Sequence, residues 1–187
     1  MSGRIRILQS VLPHGHGRIL TSATSATSPL LRKTRRWLNT DTAPVLYSAH
    51  ATVMGARNGR VRGSEGLDLA LSMPKALGGQ GGRGKTNPEE LFAACYGSCF
   101  QAAMNLAAKE MGIGMPAEAE DSVVETTLHM VGDLKAFDLG VRVDMVVKVK
   151  GVERAEMERL VGRTMETCPY SRAMRGNVTT NISIEEM

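Results

Sequence analysis

The chain is poor in aromatic residues, which supply 4 % of its 187 positions. A fold with so few flat rings has no row of stacking platforms for single-stranded nucleic acid. Its core has to be filled by aliphatic side chains and by the unusually frequent Met, at 12 residues. No apolar run approaches the roughly 20 residues that would cross a bilayer, so no membrane span is expected. Cysteine is also scarce: three residues are too few for the disulfide framework of a secreted domain. In a reducing compartment a thiol pair reads instead as catalytic or redox-sensing.

Acidic residues are missing altogether from residues 1–40, which carry Arg4, Arg6, Arg18, Arg32, Lys33, Arg35 and Arg36. The formal net charge of +4 therefore belongs to this leader. From Asp41 onward 16 basic side chains face 19 acidic ones, a net of −3. The body is mildly acidic and offers no cationic footprint for nucleic acid. The leader is rich in Arg, Ser and Thr, with Ile5, Ile7, Leu8, Val11 and Leu12 between the charges. This is the composition of a mitochondrial transit peptide, and it lacks the compact apolar stretch of a secretory signal. We assign residues 1–40 to the leader, with a matrix location implied, and residues 41–187 to one domain with a proper core.

Within that domain, apolar and polar residues alternate from Val45 to Met54, predicting a strand. Asn58-Gly59 predicts a turn through positive φ, followed by strands over Arg60 to Ser64 and Leu67 to Met73. A Gly-rich loop over Gly78 to Gly84 precedes Asn87-Pro88-Glu89-Glu90, which has the cap, the proline and the acids of a helix start. This helix is expected to end near Glu110, before Gly112. It is small or apolar at nearly every position from Leu91 to Ala108, which predicts burial around most of its circumference. Strands follow over Ser122 to Met130 and Leu139 to Val149, then a helix over Glu153 to Glu166 stopped by Cys168-Pro169. A last strand covers Val178 to Ile184. Strands interrupted by two helices make an α+β fold with largely antiparallel sheet.

One motif is a decoy. Gly79 to Thr86 matches the phosphate-loop pattern G-x-x-x-x-G-K-S/T, in which the Lys and Thr open a helix whose amino end holds phosphate. Here Pro88 pushes Asn87 out of the helical region, so Lys85 and Thr86 fall outside the helix. A zinc site is not implied either. Cys95 and Cys99 have no second compact ligand pair, and His129 reads as a strand residue.

The chemistry-bearing residues are Cys99, inside Thr86-Asn87-Pro88-Glu89-Glu90-Leu91-Phe92-Ala93-Ala94-Cys95-Tyr96-Gly97-Ser98-Cys99-Phe100, and Cys168, which opens Cys168-Pro169-Tyr170-Ser171. Brought together, they would form a dithiol able to cycle through a disulfide. Both segments, together with Val45-Leu46-Tyr47, Gly55-x-Arg57-x-Gly59 and Arg175-Gly176-Asn177, resemble the organic hydroperoxide resistance (Ohr) branch of the Ohr/OsmC family. The likeness spans residues 44–187. It implies an OsmC-like fold, with antiparallel sheets wrapped around central helices in an intertwined homodimer. It also implies a Cys-based thiol peroxidase for organic hydroperoxides, recharged by dihydrolipoamide or a lipoylated protein. No metal or prosthetic cofactor is implied.

By the same resemblance Cys99 is the peroxidatic thiol, Cys168 the resolving one, Arg57 the activator of the Cys99 sulfur, and Glu89 the group that orients Arg57. Cys95 stands where the family has Gly, and it reads as a small inert hydrophobe. Elementary chemistry agrees with these roles. An ordinary thiol, with a pKa near ~8.5, is only slightly ionised at neutral pH, and a guanidinium beside it favours the thiolate. Cys95 and Cys99 sit one helical turn apart, with Cβ atoms ~5–6 Å apart, beyond the ~3.5–4.5 Å a disulfide needs. Glu89 lies ten residues before Cys99, ~15 Å along a continuous helix. Arg57 and Glu89 are therefore expected to serve the Cys99 of a second subunit. The apolar surroundings of Cys99 favour fatty-acid hydroperoxides among the substrates. A thiol redox sensor without turnover is the alternative reading.

Overall fold

The computed structural model describes residues 38–187, so the leader, apart from residues 38–40, lies outside the described residues. The element order is β1 (Ala51–Met54), β2 (Arg60–Gly63), β3 (Asp68–Ala70), α1 (Pro88–Met111), β4 (Ser122–Asp133), β5 (Asp138–Val149), α2 (Arg154–Thr167), α3 (Pro169–Met174) and β6 (Thr179–Glu185). The strands form two three-stranded sheets, β1-β2-β3 and β4-β5-β6. All pairings are antiparallel except β5 with β6, because α2 and α3 carry the chain back before β6 begins. Among the described residues no helix is long and apolar enough to cross a membrane.

The core lies between the second sheet and the helices. Alternation along β5 points Val143, Met145, Val147 and Val149 inward, and β6 adds Ile182. Against them pack Tyr96, Phe100, Met104 and Ala108 of α1 and Met157, Leu160 and Val161 of α2. Three fully buried methionines and two aromatic rings fill this space, as the composition requires. Gly97 lets α1 lie close on β4: a Cβ there would stand 2.7 Å from the Thr126 hydroxyl.

Helix α1 starts as the sequence dictates. The Asn87 side chain accepts from the Glu90 N–H, Pro88 takes the first helical position, and Gly112 closes the helix at φ 70°. Lys85 and Thr86 lie before the helix, and Thr86 bridges to Leu71 of the first sheet.

Four local readings need correction. The strand expected from Val45 forms only at Ala51–Met54, and Leu46 before it is 94 % exposed. Among the described residues no strand pairs with residues 45–49. The turn before β2 takes its positive φ at Gly55 and Ala56, not at Asn58-Gly59. Gly59 is needed for another reason, since a Cβ there would stand 1.7 Å from the Met54 carbonyl oxygen. Helix α1 is buried on one side only within the chain, and Leu106 is 71 % exposed. The sheet and α2 cover one side, leaving Phe92, Cys95, Ala102 and Leu106 outward. Lastly, Cys168-Pro169 does stop α2, but the chain re-enters a short helix, α3, at once.

Candidate active site

Cys99 projects from the middle of α1. Cys168 sits at the joint between α2 and α3, where the following proline holds it out of the helical region, at φ −60° and ψ 122°. Its N–H still donates to the Thr164 carbonyl, and its own carbonyl accepts from the Arg172 N–H, so both helices anchor the joint. This geometry aims the Cys168 sulfur at α1. The two sulfurs stand 3.7 Å apart, both as free thiols. A bond between them at ~2.05 Å needs only a short further approach. Cys168 is fully buried, whereas Cys99 is half-buried, so Cys99 is the thiol a reagent from solvent can reach.

Burial pushes the Cys99 thiol up from its ordinary pKa, the Tyr170 backbone N–H pulls it down, and the neighbouring Cys168 pushes it up again. Arg57 of the same chain is not among the groups that act on it. Arg57 is instead held by Glu89, with Nη1 donating to Oε2 at 3.0 Å and Nη2 to Oε1 at 2.7 Å. This two-pronged pair joins the turn before β2 to the first turn of α1, and the Arg57 contact holds the Glu89 carboxyl below its usual range. The structure thus assembles two pairs, Cys99 with Cys168 and Arg57 with Glu89. Helix α1 is continuous between Glu89 and Cys99, which keeps their backbones ~15 Å apart.

Cys95 differs from expectation. It is exposed, not packed as an inert hydrophobe, because it belongs to the outward side of α1. Two residues that sequence reasoning passed over are drawn into the site. The Tyr96 hydroxyl meets the Ser171 hydroxyl at 3.0 Å, both side chains being buried. A tyrosine in an otherwise apolar helix needs a polar partner, and that was the available signal.

Comparison with known proteins bears on this arrangement. Residues 79–183 match the family described as OsmC-like protein. The organic hydroperoxide resistance protein of Xanthomonas axonopodis pv. citri is 42 % identical over 142 residues, covering 75 % of this chain and 95 % of that protein. The chain belongs to the Ohr/OsmC family. The organic hydroperoxide resistance protein OhrB of Bacillus subtilis is 36 % identical, over 75 % of this chain and 98 % of its own. Its crystal structure superposes with a TM-score of 0.65, covering 75 % of this chain and all of that one. A Legionella pneumophila organic hydroperoxide resistance protein gives a TM-score of 0.68 at 36 % identity, over 76 % of this chain and 99 % of its own. The fold is accordingly the OsmC-like α+β fold, and both sulfur-bearing segments fall inside the matched region, which begins after Arg57.

Proposed function

We propose that this protein is a Cys-based peroxidase that reduces organic hydroperoxides to alcohols. The observation that carries the reading is the 3.7 Å approach of the half-buried Cys99 sulfur to the buried Cys168 sulfur. The names of the relatives, organic hydroperoxide resistance proteins, support this substrate class. In the first step the Cys99 thiolate attacks the terminal peroxide oxygen and the O–O bond breaks. The alkoxide takes a proton and leaves as alcohol, and Cys99 becomes a sulfenic acid. Cys168 then attacks that sulfur, forming the disulfide and releasing water. An external dithiol, dihydrolipoamide or a lipoylated protein, reopens the bridge by exchange and leaves as its own disulfide. The protein's thiols carry the electrons, and no bound cofactor is needed.

A thiol raised by burial needs a cation to ionise and to meet the charge developing on the peroxide oxygens. In our reading Arg57, oriented by Glu89, supplies it to the Cys99 of a second copy in a homodimer. Arginine suits this role, since its planar fork bonds the carboxylate and still presents a face to sulfur. Two features support a dimer. The outward side of α1 is apolar, and residues 45–47 lie exposed with Val45, Leu46 and Tyr47 unburied. The composition of the Arg-rich leader supports a location in the mitochondrial matrix, where lipoylated proteins would serve as reductant.

Turnover tests the reading. Dihydrolipoamide consumption with tert-butyl or cumene hydroperoxide is expected to be rapid and to vanish in Cys99→Ser. Consumption no faster than in that variant would leave the redox-sensor alternative.

A further inference from the structure

The buried hydroxyl pair lies in register with the thiol pair. Tyr96 and Cys99 are three residues apart on α1, and Cys168 and Ser171 are three apart across the start of α3. Residues three apart share a helix face. The two segments therefore meet at two points, sulfur to sulfur at 3.7 Å and hydroxyl to hydroxyl at 3.0 Å. The Tyr96 ring lies 6.5 Å from that of Tyr170, tilted by 46°. α3 has only six residues, and Gly176 beyond it takes a φ of 82°. So short a helix has little hold on its own position, and a buried hydrogen bond, shielded from competing water, sets where it rests.

We infer that Tyr96 and Ser171 are positioning residues for the disulfide-forming step, holding the Cys168 joint against Cys99 while the sulfenic acid waits. The inference rests on the peroxidase reading. Oxidation replaces the thiol-to-thiol contact with a bulkier sulfenic acid, whereas the hydroxyl pair is unchanged by it. The hydroxyl bridge is then a side-chain link from α1 to the joint that helps keep the attacking sulfur within reach. If the joint swings away, a second hydroperoxide oxidises the waiting group instead: Cys99 gains a second oxygen as sulfinic acid, and a second alcohol leaves.

The test uses Tyr96→Phe, Ser171→Ala and the double variant, with the full chain and cumene hydroperoxide. Stopped-flow mixing reads sulfenic acid formation and disulfide closure separately, mass spectrometry reads sulfinic acid on Cys99, and thermal melting reads stability. Each single variant is expected to form sulfenic acid within about threefold of the wild-type rate but to close the disulfide at least tenfold more slowly. Sulfinic acid accumulates accordingly. The double variant is expected to close no more slowly than either single one, because all three remove the same interaction. Its melting temperature recovers, since neither hydroxyl is left unpaired in the core. That recovery without recovery of closure distinguishes positioning from support of the fold. Closure at the wild-type rate in all three variants, or closure that recovers together with stability in the double variant, overturns the inference alone. Failure of the wild-type protein to form sulfenic acid at all overturns the peroxidase reading as well.

Discussion

At the residue scale the roles divide by exposure and charge. Cys99 meets solvent and Cys168 does not, so in the proposed peroxidase cycle the first reacts and the second resolves it. Cys168→Ser is therefore expected to reduce about one equivalent of hydroperoxide per site and then stall, with sulfinic acid appearing on Cys99 under excess oxidant; mass analysis of the oxidised variant checks this. Arg57→Ala is expected to raise the pKa for Cys99 thiolate formation by about one unit or more. One unit costs about tenfold in thiolate below that pKa, readable in the pH profile of peroxide reaction or of alkylation. Glu89 gives a second pH test. Its folded-state pKa is depressed, first by the Arg57 hydrogen bond. The stability from the pair is thus complete above the unfolded carboxylate pKa of ~4.3 and is lost as pH falls through the lower folded value. Glu89→Gln should melt below wild type at neutral pH, and the gap should shrink on acidification; a gap that grew would contradict the pairing.

Helix α1 is the element that organises the site, since it bears Glu89, Tyr96 and Cys99 and packs on the second sheet. Its start depends on Asn87, and Asn87→Ala is expected to cost about 1 kcal/mol of stability in urea titration. Its close approach to β4 depends on Gly97. A side chain there meets Thr126, so Gly97→Val should destabilise by roughly 1–3 kcal/mol through overpacking. Most of this element could be read from the sequence because its signals are local: cap, proline, acids and terminal glycine. The same holds for β5, where a strict alternation reports one buried face. Local signals failed where the deciding contact is remote. Residues 45–49 alternate like a strand but pair with no strand among the described residues. α3 is only six residues long, too short to leave a periodic pattern, and its place depends on Tyr96, 75 residues before Ser171.

For the whole molecule, the meeting of Cys99 with Cys168 across 69 positions is not something periodicity can reveal. It was legible only because each thiol stands in a distinctive motif, and the fold then brings the motifs together. The Arg57–Glu89 pair was legible on the same grounds, whereas the outward side of Cys95 was not, because a uniformly apolar helix does not declare which side its neighbours cover. The exposed apolar side of α1 and the Val45–Tyr47 segment predict a dimer. Light scattering on residues 38–187 is expected to give about twice the monomer mass, and a stable monomer with full activity would refute supply of Arg57 from a second copy. The central claim is that Cys99 and Cys168 act as one redox pair toward organic hydroperoxides. Its most direct test is peptide mapping of the protein after one equivalent of cumene hydroperoxide. The account predicts a single new linkage joining Cys99 to Cys168, with Cys95 still a free thiol; a bridge through Cys95, or no bridge with Cys99 unreacted, would contradict it.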